Sequence, residues 1–133
     1  MLGDASRHAF LYWGSMNDLG TLGGSDSTAY SINAGGQVVG DSVMTGNVTE
    51  HAFLYSGGVM TDLGTLGGSE SHAFGINTAG QIVGWSFTID HRHAYMYSSG
   101  IMTDLNSLLP VNSGWNLIVA NAINDSARSS ALD

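Results

Sequence analysis

His8-Ala9-Phe10-Leu11-Tyr12 returns as His51-Ala52-Phe53-Leu54-Tyr55 and, varied, as His93-Ala94-Tyr95-Met96-Tyr97, a period of about 43 residues. A second marker follows each time. Asp18-Leu19-Gly20-Thr21-Leu22-Gly23-Gly24 recurs unchanged as Asp62-Leu63-Gly64-Thr65-Leu66-Gly67-Gly68 and decays to Asp104-Leu105-Asn106-Ser107-Leu108-Leu109-Pro110. A third, Ala29-Tyr30-Ser31-Ile32-Asn33 then Gly36-Gln37-Val38-Val39-Gly40, recurs as Ala73-Phe74-Gly75-Ile76-Asn77 then Gly80-Gln81-Ile82-Val83-Gly84, and shrinks to Ala122-Ile123-Asn124. Three ordered markers at one period signal stacked or radially arranged supersecondary units.

Within the second copy the apolar and β-branched runs predict four short strands, near His51 to Tyr55, Val59 to Leu66, His72 to Asn77 and Gln81 to Phe87. Glycine sits at the joints. Gly57-Gly58 suits a two-residue hairpin, and Asn77-Thr78-Ala79-Gly80, like Asn33-Ala34-Gly35-Gly36, suits a type I turn with glycine in the left-handed region. In the third copy Ala127 and Arg128 replace the glycine and glutamine, which predicts a strained or reshaped turn there.

Composition bounds the function. The 133 residues carry eleven acidic side chains against Arg7, Arg92 and Arg128, with no lysine, for a formal charge of −8. Phosphate binding needs clustered cations, so nucleic acid and anionic membrane surfaces are poor partners. No apolar run approaches the length of a membrane helix. Without cysteine there is neither a disulfide framework nor a thiolate metal site. Met1 to Arg7 lacks the apolar stretch of a signal peptide.

The motifs HAFLY, DLGTLGG and IN-x-x-GQ-[VI]-VG resemble the bacterial HAF repeat, a module named for its His-Ala-Phe tripeptide. The resemblance covers roughly residues 7 to 126. It implies an extracellular or cell-surface protein built as a β-propeller-like array, with no catalytic activity to carry over; no cofactor is expected. The expected organisation is one all-β domain over residues 1–133. Repeat 1 lies at about 7–45, repeat 2 at about 50–88 and an eroded repeat 3 at about 92–126, with an irregular tail at 127–133. Three four-stranded, blade-like units leave exposed β edges, which a homodimer forming a six-bladed ring would cover. A self-closed β-trefoil or β-prism is the alternative architecture.

Candidate chemistry is sparse. His8, His51 and His93 recur in register, and a side chain repeated in every unit is expected to make one structural hydrogen bond in every unit. Asp18, Asp62 and Asp104, and likewise Asn33, Asn77 and Asn124, read as turn residues that bond their own backbone. His91 and His93 flank Arg92 on one strand face and are weak metal candidates, with no cysteine nearby and only Asp90 beside them. The acid pairs Glu50 with Asp62 and Glu70 with Asp90 show no convergence in sequence, and no nucleophile elbow, zinc helix or phosphate loop is present. Trp13, Trp85 and Trp115 are not equivalent across the repeat, unlike Phe10, Phe53 and Tyr95, whose shared position predicts a shared core role. An unshared Trp can stack on a sugar or anchor a protein. The reading is therefore a non-catalytic structural or protein-interaction module completed by self-association, with a small carbohydrate-binding protein as the alternative.

Overall fold

The computed structural model describes residues 6–12, 14–110, 113–114, 116–125 and 129–132. They form an all-β chain with a single 3-10 turn at Leu105–Leu108. The strands are β1 (Ala9–Tyr12), β2 (Met16–Gly20), β3 (Gly23–Ile32), β4 (Val38–Met44), β5 (Glu50–Ser56), β6 (Val59–Asp62), β7 (Ser71–Ile76), β8 (Ile82–Phe87), β9 (Arg92–Ser98), β10 (Ile101–Asp104), β11 (Val119–Ile123) and β12 (Ser129–Leu132). Two complete antiparallel sheets, β3-β4-β5-β6 and β7-β8-β9-β10, sit between two-stranded sheets β1-β2 and β11-β12. Among the described residues the sheets close neither a barrel nor a propeller.

The sheets are cut half a period out of phase with the HAF-initiated sequence units. Each complete sheet begins at the Ala-aromatic-x-Ile-Asn marker, and its third strand is the HAFLY marker. β1-β2 therefore corresponds to strands three and four of a sheet, and β11-β12 to strands one and two. Residues 129–132, expected to lie in an irregular tail, instead form β12. Their ladder needs only backbone donors and acceptors, so loss of the apolar pattern did not remove the strand. β11-β12 repeats the register of β3-β4 and β7-β8: Ile123 faces Ser129 as Ile32 faces Val38 and Ile76 faces Ile82. All three pairs bulge at the same place, between Ala29 and Ser31, Ala73 and Gly75, and Ala120 and Ala122.

The joints follow the glycine chemistry. Gly57 and Gly58 both take positive φ, 61° and 88°, in a tight hairpin between Ser56 and Val59. Gly80 donates its N–H to the Asn77 carbonyl at 3.0 Å with φ 83°, and Gly36 does the same to Asn33 at 3.1 Å with φ 80°. The strand expected to run from Val59 to Leu66 stops at Asp62. There the carboxylate accepts the Gly64 N–H at 2.8 Å, and Gly64, at φ 78°, turns the chain away. The third-copy turn at Ala127 and Arg128 lies outside the described residues.

Neighbouring sheets are joined by polar bonds that repeat. Ala9 and Ala52 donate their N–H groups to Ser27 and Ser71 Oγ, both at 2.8 Å, and each serine in turn donates to Gly20 or Gly64. Asn33 donates from Nδ2 to the Asn77 carbonyl, and Asn77 to the Asn124 carbonyl, both at 3.0 Å, so one asparagine per unit ties each sheet to the next. Apolar clusters fill the space between the sheets. Val39, Ala52 and Leu63 pack on Ala73, Ile76, Ile82 and Tyr95, and Val83, Ala94 and Leu105 pack on Ala120 with Ile123 beside it. These pairings are nearest-neighbour, as in repeat proteins generally.

Candidate functional site

The recurring histidines are accounted for by one repeated contact. Nδ1 of His8, His51 and His93 meets the carboxylate of Asp18, Asp62 and Asp104 at 2.8, 2.9 and 2.6 Å, joining strand three to strand four. The same carboxylates accept the N–H of Gly20, Gly64 and Asn106 at 2.8, 2.8 and 2.9 Å. Bonded to Gly20 and to His8, Asp18 is held below the usual carboxylate range. Asn33 and Asn77 accept the N–H of Gln37 and Gln81 within their turns. This is turn and strand scaffolding.

A different cluster lies at the junction of the two complete sheets. Asp41 on β4 and Glu50 on β5 face Glu70, just before β7, and His72 on β7. His72 Nδ1 is bonded to Asp41, while Nε2 lies 3.9 Å from a Glu50 oxygen and 3.8 Å from a Glu70 oxygen. Asp41 and His72 are largely buried, whereas the two glutamates are partly exposed. Burial pulls the imidazole pKa down, but the bond to Asp41 and the charges of Asp41, Glu50 and Glu70 outweigh it and leave the pKa raised. Burial and the neighbouring Asp41 charge push Glu50 upward, against the pull of His72. Tyr30, beside Asp41, is raised in the same way.

Two chemistries are open to this arrangement. A neutral His72, oriented by Asp41 through Nδ1, would turn its Nε2 toward a cation that Glu50 could also reach, and the ligand atoms of Asp41, Glu50 and His72 lie within 4.8 Å of one another. The protonated ring instead places its own charge among three carboxylates, and the raised pKa favours that state. The groups facing Nε2 are the Glu50 and Glu70 carboxylates.

Aromatic rings wall the cluster. Trp85 packs against His72 with centroids 4.3 Å apart, Arg92 Cζ lies 4.2 Å from the Trp85 centroid, and Phe87 meets Trp85 edge-on at 5.2 Å. Trp85 is thus engaged by a cation and two rings. Trp13 and Trp115 lie outside the described residues. His93 is committed to Asp104, and His91 is exposed just before β9 with its N–H on Thr88 Oγ1, so among the described residues that pair gains no metal-ligand cluster. The two acid pairs are also separated in role: Asp62 holds His51, whereas Glu50 and Glu70 meet at His72.

The His72 cluster was not anticipated, although a signal for it exists. Aligning the copies puts Thr28 and Val119 at the His72 position, Trp85 and Leu132 at Asp41, Arg7 and Arg92 at Glu50, and Asp26 and Leu117 at Glu70. His72, Asp41 and Glu50 depart in chemical type from both other copies, Glu70 keeps the carboxylate of Asp26, and all four fall at one junction. Comparison of the chain with protein-family models, curated proteins and solved structures finds no match.

Proposed function

We propose that this chain is a non-catalytic module of HAF-like β repeats whose sheets are propeller blades and which works by self-association, two chains forming a six-bladed ring. The observation that carries this reading is the pair of unfinished sheets. Two four-stranded sheets have every inner strand paired, whereas among the described residues each terminal sheet has two strands, leaving edges open to another strand. The sequential meander order within each complete sheet supports blades over a trefoil or prism. The HAF-like motifs support an extracellular or cell-surface setting, where such arrays present surfaces to protein partners. The carbohydrate reading draws less support, since the described tryptophan already holds Arg92 and His72.

Absolute molar mass by light scattering on a sizing column tests the proposal. Twice the chain's 13.9 kDa is the expected result. A monomer at every accessible concentration would remove the self-association reading.

A further inference from the structure

Resting on that reading, we infer that β1 of one chain pairs antiparallel with β12 of a second copy, and that Phe10 is the missing aromatic of the partner's last core cluster. The two terminal hairpins are the two halves of one sheet. In both complete sheets the second strand is bonded to the third, Val39 facing Leu54 and Val83 facing Met96. Among the described residues β12 is a second strand without a third, and β1 a third without a second. Repeat equivalence sets the register of the seam: Ser129 faces Tyr12, Ser130 faces Leu11, Ala131 faces Phe10, and Leu132 faces Ala9.

The cores carry the same message independently. Val39, Ala52, Leu63, Ala73 and Ile76 surround Tyr95 between the two complete sheets. Their repeat equivalents Val83, Ala94, Leu105, Ala120 and Ile123 form the last cluster, and among the described residues no aromatic takes the Tyr95 place there. Phe10 is the candidate at the matching repeat position. Phe53 and Tyr95 are fully buried, but Phe10, at the same repeat position, is 56% exposed. Ile32 is 50% exposed where its equivalent Ile76 is 7% exposed, because no second strand of a preceding sheet covers it. Between them lies an open groove of about 320 Å³ lined by Phe10, Leu11, Tyr12, Tyr30, Ile32 and Val38. In the complete junction that position is taken by β4, the counterpart of β12, so the groove fits a second copy of this chain.

Ser129 and Ser130 stand where the complete sheets have Val38-Val39 and Ile82-Val83. At these two positions the seam is less apolar than the internal junctions, which gives Phe10 a larger part in it. Removing a buried phenylalanine weakens association at least about tenfold per seam, or about a hundredfold for a ring with two seams.

The test combines Phe10→Ala with a cysteine pair, the chain having no cysteine of its own. Leu11→Cys/Ser130→Cys should give an intermolecular disulfide on oxidation, because only strands in that register bring the two Cα atoms within bridging distance. Tyr12→Cys/Leu132→Cys, three residues out of register, should not. Phe10→Ala should shift the wild-type dimer to monomer at concentrations up to about a hundredfold higher. A two-chain mass with no cross-link in Leu11→Cys/Ser130→Cys, and unmoved by Phe10→Ala, would overturn this seam while leaving self-association through another face. A wild-type monomer would overturn both and leave the edges to another kind of strand.

Discussion

Phe53 and Phe10 occupy the same place in successive units, so replacing each with alanine is a controlled pair of perturbations. Phe53 is fully buried among Ala9, Leu19 and Val38. Truncating a buried phenylalanine removes its transfer free energy and leaves a cavity, at a cost of about 3–5 kcal/mol. A chain of this size is stable by roughly 5–15 kcal/mol, so Phe53→Ala should lower the melting temperature by about 10–20 °C. Phe10 is more than half exposed in the protomer and fills no internal cavity there, so Phe10→Ala should cost the monomer no more than about 0.5 kcal/mol. Urea unfolding followed by circular dichroism, at a dilution where the chain is monomeric, measures both. Equal costs for the two variants would refute the assignment of Phe10 as an unfilled plug. A Phe53→Ala cost below about 1 kcal/mol would refute the junction between the first two sheets as a packed core.

Three further outcomes follow from the junctions. The raised His72 pKa means its stabilising contribution is fully present below the unfolded value, near 6.5, and is lost as pH rises through the folded value. Glu50, also raised, is destabilised by ionisation in the folded state, which acts in the same direction, so thermal stability should fall from mildly acidic to mildly alkaline pH. His72→Gln should flatten that slope through the histidine range, and an unchanged slope would place the titrating group elsewhere. Gly84→Ala puts a Cβ onto the His72 carbonyl oxygen at the bulge and should cost about 1–3 kcal/mol in urea unfolding, whereas a neutral result would mean that the two backbones are not in close approach. Ser71→Ala removes the fully buried hydroxyl that accepts from Ala52 and donates to Gly64. It should cost about 2–3 kcal/mol and speed hydrogen exchange at the Ala52 amide, and unchanged exchange would rule out that link between sheets.

The legible part of the fold was local. Gly57-Gly58, the Asn-x-x-Gly turns and the strand positions follow from short-range chemistry that recurs every period, and repetition multiplied each signal; the recurring histidines read as structural, but their Asp partners appear only once strands three and four pair. The candidate site was less legible. Asp41, Glu50, Glu70 and His72 span thirty-odd positions, and the apparent acid pairs Glu50 with Asp62 and Glu70 with Asp90 divided residues that the junction regroups. Only the facing of β4 and β5 on β7 brings the four together.

A periodic sequence determines by itself the length of the unit, the places where strands and turns form, and the all-β class, because these depend on side-chain alternation and backbone angles within a few residues. It leaves the phase open: a four-strand sheet can begin at any of the four strands without altering the period. Tertiary structure decided that phase by stacking each Ala-aromatic-x-Ile-Asn strand on the preceding sheet, with the serine and asparagine bonds as the ties. That choice left half a sheet at each end of the described chain, and it put Phe10 in solvent while its twins Phe53 and Tyr95 are buried, since burial belongs to the neighbours a residue acquires and not to the residue alone.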